Sequence, residues 1–284
     1  MQVTPSNIFS ITSGQRADSP FRAGQQIIPY GMAVKIEVCL SPADYQARVA
    51  TGFGEAVCVV FDVLRATSVM VTGLANGAAS FMPAAEISEA LTLRAHRRDA
   101  LLAGERDGLR ITAAQSGGVE FDLGNSPREY TRQRVAGRTI ISTTTNGTRA
   151  LRSCITGKSV AVASFLNLSA TADWLAQQQT GQVILVCAGT AEFPALEDIL
   201  GAGALCELLV SKCERAELLD SAETAARVYR EARLDLFGVI SCSQNGRRLM
   251  TNAELRDDVE YCLRRDACGL VALLGADGLV RRAG

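Results

Sequence analysis

Short apolar runs recur along this chain, and each stops abruptly in polar residues. "VKIEVCL", "AVCVVFDV", "SFMPA", "ALLAGE", "RTIISTTT", "SVAVASF" and "QVILVCAG" alternate with stretches of helical periodicity such as "ISEALTLRAHRRD" and "SATADWLAQQQ". That rhythm predicts an α/β protein. The runs are nearly continuous rather than alternating, as strands covered by helices on both faces require. The expected architecture is a three-layer α/β/α fold around a mostly parallel sheet, with room for two similar halves. The pattern restarts near Ser159 after a short polar link. The expected division is therefore residues 32–158 and 159–284.

Composition removes several function classes. Charged residues make up 21% of the 284, the net charge is -1, and no acidic or basic run stands out. That balance argues against a nucleic-acid or membrane-surface binder. No apolar stretch approaches the roughly 18 residues that span a bilayer. Residues 1–31 are rich in Ser, Gln, Gly and Pro but lack the basic start and apolar middle of a secretory signal. They are expected to form a flexible extension, with Met32 as an alternative start. The nine cysteines are scattered and include no C-x-x-C pair, which suits buried thiols in a reducing cytoplasm. Cys206 and Cys213 are too far apart for a zinc knuckle. The one histidine, His96, lies in a charged helical stretch and is expected on the surface. A homo-oligomer is compatible with this composition.

In open α/β sheets ligands collect at the carboxyl ends of strands. Here "AVCVVF" is followed by "DVLRATS", "ALLA" by "GERDGL", "RTII" by "STTTNGTRA" and "VILV" by "CAGTAEFPALED". Thr143, Thr144, Thr145 and Thr148 offer hydroxyls, Asn146-Gly147 permits a tight turn, and a following helix would aim free N–H groups at the same point. Such a set suits phosphate. The plainer alternative is a β-branched strand, an Asn-Gly turn and a Thr cap. Arg65, Arg128 and Arg149 can each fork onto oxyanions.

Asp62, Glu105, Asp122, Glu197 and Asp198 would repel a phosphate unless a cation lay between, which implies a hard ion, most simply Mg2+. Asp62 is the candidate metal ligand or general base, and Glu105, Glu197 and Asp198 are candidate further ligands. Arg65 is the candidate for stabilising phosphoryl oxygens. Glu197 and Asp198 could equally favour the positive end of the helix "LEDILGAGALCELL".

Familiar signatures fail. "GAGALC" lacks the third glycine of a dinucleotide loop, "RSCITGKS" lacks the leading glycine of a P-loop, and "DVLRAT" has Leu64 where aspartyl-phosphate phosphatases need Asp. Cys242 and Arg248 in "CSQNGRR" do satisfy C-x5-R, the spacing of cysteine phosphatases.

Taken in order, "FDVLRATSVMVTGLANGA" (61–78), "GERDGL" (104–109), "FDLGNSPREYT" (121–131), "TTTNGTRAL" (143–151), "SFLNLSA" (164–170), "CAGT" with "LEDILGAGAL" (187–205), and "NGRRL" with "DDVEYCLRRD" form a specific set. The chain resembles the 2-phosphosulfolactate phosphatases of the ComB type over roughly Val34 to Asp266. The resemblance implies an α/β, Mg2+-dependent, cytoplasmic phosphoric monoester hydrolase that releases sulfolactate and phosphate, on a route toward coenzyme M. It adds Asn125, Ser126 and Arg128 to Thr143, Thr144, Asn146, Gly147 and Thr148 as substrate-binding candidates. It departs from the family where His-Gly usually precedes "R-x-L", because this chain has Asn245-Gly246. The expected partner is a small anionic phosphate ester. Two other readings stay open: a metal-independent cysteine phosphatase using Cys242, and a non-catalytic anion-binding module.

Overall fold

The computed structural model describes residues 33–284. The extension over residues 1–31 and the alternative start at Met32 lie outside the described residues. Every apolar run quoted above contains a strand: β1 (Val34–Cys39), β2 (Val57–Phe61), β3 (Ser80–Pro83), β4 (Leu101–Arg106), β6 (Thr139–Thr143), β7 (Ser159–Ala163) and β8 (Gln182–Cys187). Four short strands, β5 (Leu109–Arg110), β9 (Ala216–Leu218), β10 (Ala272–Leu274) and β11 (Val280–Arg282), complete one sheet in the order β5-β4-β6-β3-β11-β10-β7-β2-β8-β1-β9.

Helices cover both faces, as the continuous apolar runs require. They are α1 (Pro42–Val49), α2 (Ala66–Ala75), α3 (Ile87–His96), α4 (Ala113–Ser116), α5 (Arg132–Val135) and α6 (Gly147–Ser153) in the first part of the chain. Then follow α7 (Leu168–Ala176), α8 (Leu196–Lys212), α9 (Asp220–Ala232), α10 (Leu236–Ser241), α11 (Gln244–Met250) and α12 (Arg256–Cys262). All five side chains of β2 are buried. Val57, Val59 and Phe61 pack with Leu200 and Leu205 of α8 and Ala225 of α9, while Cys58 and Val60 pack with Val69 and Leu74 of α2 and Leu151 of α6. The period-two alternation of a strand thus serves two apolar cores. None of the helices among the described residues is long and apolar enough to cross a membrane.

The sheet holds two parallel sets that run in opposite directions. β7 pairs antiparallel with β10, β10 with β11, and β11 with β3. Three reversals leave β3, β6 and β4 antiparallel to β7, β2, β8, β1 and β9. The hairpin between them turns at Ala276-Asp277-Gly278, where Gly278 has φ +76°, a value that costs glycine little. Strands from both sides of residue 158 interleave in the second set. Five neighbour steps separate β6 from β2. At roughly 20–25° per step the sheet twist accumulates past a right angle, which turns the carboxyl ends of the two sets toward one another.

Candidate active site

Asp62 follows the last residue of β2. Its Oδ1 accepts from the backbone N–H of Ala66 at 3.1 Å, the first residue of α2. Thr67 fixes the backbone below it: Thr67 Oγ1 accepts from Asp62 N–H at 3.1 Å and donates to Asp62 O at 2.9 Å. Oδ2 faces α6, and a Cβ built on Gly147 would lie 2.7 Å from it. Burial pushes the Asp62 carboxyl up to about 6, with the Glu105 and Glu197 charges adding to the rise and the N–H groups of Ala66 and Gly147 opposing it. β2 belongs to one parallel set, and β4 and β6 to the other, so this carboxylate lies where the two sets meet.

The other three acids are buried beside it, each held by neighbours. Glu105, near the end of β4, accepts from Thr145 N–H and Thr145 Oγ1 at 2.9 Å, and from Gly108 N–H at 2.8 Å. Glu197, in the first turn of α8, accepts from Ser243 Oγ at 3.1 Å and Asn245 Nδ2 at 2.6 Å. Asp198 accepts from Val63 N–H at 2.7 Å and Gly189 N–H at 3.1 Å, which ties the loop after β2 to the loop after the neighbouring β8. Burial drives the Asp198 carboxyl well above the usual carboxylate range, reinforced by the charges of Asp62 and Glu197. Neither Glu197 nor Asp198 caps its own helix through a side-chain bond. Asp122 is elsewhere, accepting from Leu102 N–H at 2.8 Å on the flank of β4.

Arg65 and Arg128 converge on a residue that motif reading did not single out. Asp258, fully buried in α12, accepts from Arg65 Nη1 at 2.6 Å, Ser126 Oγ at 2.6 Å and Arg128 Nε at 2.8 Å. Arg65 also donates to Gly108 O, and Arg128 to Glu254 O. The two guanidiniums expected at substrate oxyanions therefore already have a protein counter-charge. Asn125 is buried next to Ser126, and its amide makes no hydrogen bond among the described residues. Arg149 is exposed and lies 3.6 Å from Glu192.

The threonine stretch is used largely within the protein. Thr143 Oγ1 accepts from Arg106 at 3.2 Å and donates to Ala85 O at 3.4 Å. Thr148 Oγ1 donates to Thr144 O at 2.9 Å, and Thr144 Oγ1 accepts from Thr148 N–H at 3.3 Å. Asn146 Oδ1 receives the N–H of Ala191 at 3.2 Å, so the loop after β6 is pinned to the loop after β8. The plainer reading as an Asn-Gly turn and a Thr cap does not hold either: Asn146 is the N-cap of α6 without a side-chain cap bond, Gly147 is already helical and admits Asp62, and the Thr144 and Thr148 hydroxyls bond neighbouring backbone.

Sequence reasoning missed Asp258, Ser243, Thr190 and Arg106 as members of this network. "DDVEYC" and "NGRRL" were the available signals, since Asp258 shares the buried side of its helix with Val259 and Cys262, where a carboxylate needs a partner. Asn245 stands between two acceptors, donating to Glu197 Oε1 and to Thr190 Oγ1 at 2.6 Å each. Cys242 is exposed at the end of α10, and among the described residues no hydrogen bond joins its thiol to Arg248. His96 is exposed at the end of α3, as expected. Among the described residues, no three His, Cys, Asp or Glu side chains form a ready-made metal group.

Comparison with known proteins gives the family. A family model described as 2-phosphosulpholactate phosphatase matches residues 39–276. A Clostridium acetobutylicum protein is 35% identical over 239 residues, spanning 84% of this chain and 96% of its own length. A Thermotoga petrophila protein is 40% identical over 208 residues, spanning 73% and 84%. One from Caldanaerobacter subterraneus is 39% identical over 225 residues, spanning 78% and 89%. All three carry the name "Probable 2-phosphosulfolactate phosphatase". On the match across nearly the whole described sheet and on these relatives, the chain belongs to the 2-phosphosulpholactate phosphatase family.

Proposed function

We propose that this protein hydrolyses 2-phosphosulfolactate to sulfolactate and inorganic phosphate, that the reaction depends on Mg2+, and that it serves a cytoplasmic route of the coenzyme M type. The names of the relatives support the substrate. The single structural observation that carries the reading is Asp62, a buried carboxylate at the junction of three strand ends, whose carboxyl the charges of Glu105 and Glu197 help to raise.

The donor set fits a hard cation: every candidate atom is a carboxylate oxygen, and Mg2+ commonly takes one or two protein carboxylates plus water and substrate phosphate. Asp62 would hold the ion, and Glu105 and Glu197, whose charges raise its carboxyl, are the candidates for a second oxygen. Asp198 has both oxygens on backbone N–H groups and acts as a clamp on the loops. When bound, the cation would neutralise charge between these acids and a phosphate ester. The chain's own contribution is to hold Asp62 rigid through Ala66 N–H and Thr67, while burial beside Glu105 and Glu197 raises its proton affinity, which suits a carboxylate that would take a proton from an attacking water.

Phosphate release from 2-phosphosulfolactate, measured with Mg2+ and with EDTA, tests the proposal. Turnover that needs Mg2+ and is lost in Asp62→Asn is the expected result. Turnover that survives EDTA and Asp62→Asn but disappears in Cys242→Ser would replace it with the cysteine mechanism.

A further inference from the structure

The arginines around the site differ in one respect. Arg65 and Arg128 meet Asp258, Arg149 meets Glu192, and Arg106 meets Thr143 and the Glu105 carbonyl. Arg248 has no carboxylate and no side-chain hydrogen bond among the described residues, although it stands beside a cluster of acids. Its place follows from α11. Asn245 and Arg248 are three residues apart and share a helix face, and Asn245 of that face reaches Glu197 at 2.6 Å. The Arg248 Cζ, Nη2 and Nε lie 3.6, 3.7 and 3.8 Å from where a Cβ on Gly108 would be. Gly108 itself donates to Glu105 and accepts from Arg65. The guanidinium thus spans from the helix carrying Asn245 to the turn carrying Glu105, at the solvent edge of the acid cluster.

We propose that Arg248 is a substrate-binding residue that grips a non-transferred oxyanion of the substrate, the sulfonate or the carboxylate. The inference rests on the phosphatase reading above. In 2-phosphosulfolactate the ester-bearing carbon carries the carboxylate directly and the sulfonate through one methylene. With the phosphate at Asp62, both remaining anions fall beside it, on a site otherwise lined by acids. An exposed, uncompensated guanidinium with a planar donor fork matches either group. Arg65 and Arg128 are less suited, since Asp258 already meets their charge.

The test is titration of sulfolactate and, separately, of inorganic phosphate against wild type, Arg248→Met and Arg248→Lys, by calorimetry in Mg2+ buffer. Loss of one charge-assisted contact should weaken sulfolactate by roughly 10- to 100-fold in Arg248→Met and less in Arg248→Lys, with phosphate within about twofold. KM should rise by a similar factor while kcat changes little. Two truncated substrates distinguish the anions: phospholactate lacks the sulfonate, and O-phosphoisethionate lacks the carboxylate. Whichever substrate is indifferent to Arg248→Met lacks the group that Arg248 holds. Unchanged sulfolactate binding in a folded Arg248→Met, or a matching loss of phosphate binding, overturns the assignment and leaves the phosphatase reading intact. Wild type that binds sulfolactate through Arg248 yet releases no phosphate overturns the phosphatase reading alone. Wild type that neither binds sulfolactate nor releases phosphate overturns both.

Discussion

Oδ2 of Asp62 occupies the space that a side chain at Gly147 would need: a Cβ there would come within 2.7 Å of the oxygen, and within 2.7 Å of the Ala66 Cβ. Helix propensity alone would make Gly147→Ala stabilising by up to about 1 kcal/mol. The structure predicts the reverse, because α6 must move away from α2 or Asp62 must rotate off Ala66 N–H. Gly147→Ala is expected to lose stability in urea unfolding and to lower phosphate release at least roughly 100-fold, as misplacement of a catalytic group by about 1 Å does. A stabilised variant with normal turnover would show that Asp62 does not need that contact.

Asp62 also sets a pH dependence. Its carboxyl titrates at about 6 in the folded protein against 3.8 for the unperturbed group. Between those values the folded state holds more protons than the unfolded state, so this group's contribution to stability is present below the lower value and lost as pH rises through about 6. A shift of this size corresponds to roughly 2–3 kcal/mol. In EDTA, Asp62→Asn should therefore be more stable than wild type at pH 7.5 and close to it at pH 4. Urea midpoints at the two pH values check this, and a difference that does not change with pH would contradict it.

The Arg65–Asp258 pair is almost wholly removed from solvent, with side-chain exposures of 2% and 0%. Removing one member leaves a buried charge without its partner, so Asp258→Ala should cost about 3–5 kcal/mol. Arg65→Met made in the Asp258→Ala background should then cost much less than in wild type. A double-mutant cycle by urea unfolding would give a coupling above about 1 kcal/mol, and additive losses would dissolve the proposed pair.

Thr148 is fully buried, and its hydroxyl donates to Thr144 O at 2.9 Å. Thr148→Val keeps the shape and removes that bond, which should cost about 1 kcal/mol of stability. Inhibition by inorganic phosphate should be unchanged. A roughly tenfold weaker phosphate inhibition would restore Thr148 to the phosphate site.

Seven strands and both helix layers were legible because their residues obey local rules. A Val-rich run such as "VCVVF" can only be satisfied between two apolar layers, and "ISEALTLRAH" has the period of a helix. Polar strand ends likewise marked Asp62, Glu105, Glu197 and Asp198 as residues that need company. The hairpin β10-β11 was missed, although "GADGLV" carries an Asp-Gly turn, because three-residue strands give too short a period to read. That hairpin reverses the strand direction and, with the twist, brings the ends of β2, β4 and β6 together. Only the tertiary structure could assign partners. Arg65 and Arg128 look alike to a sequence reader as oxyanion ligands, but Asp258 lies 193 and 130 residues away from them along the chain. Composition and spacing say which groups must be neutralised; contact between distant segments decides which ones the protein neutralises itself and which, like Arg248, remain open to a ligand.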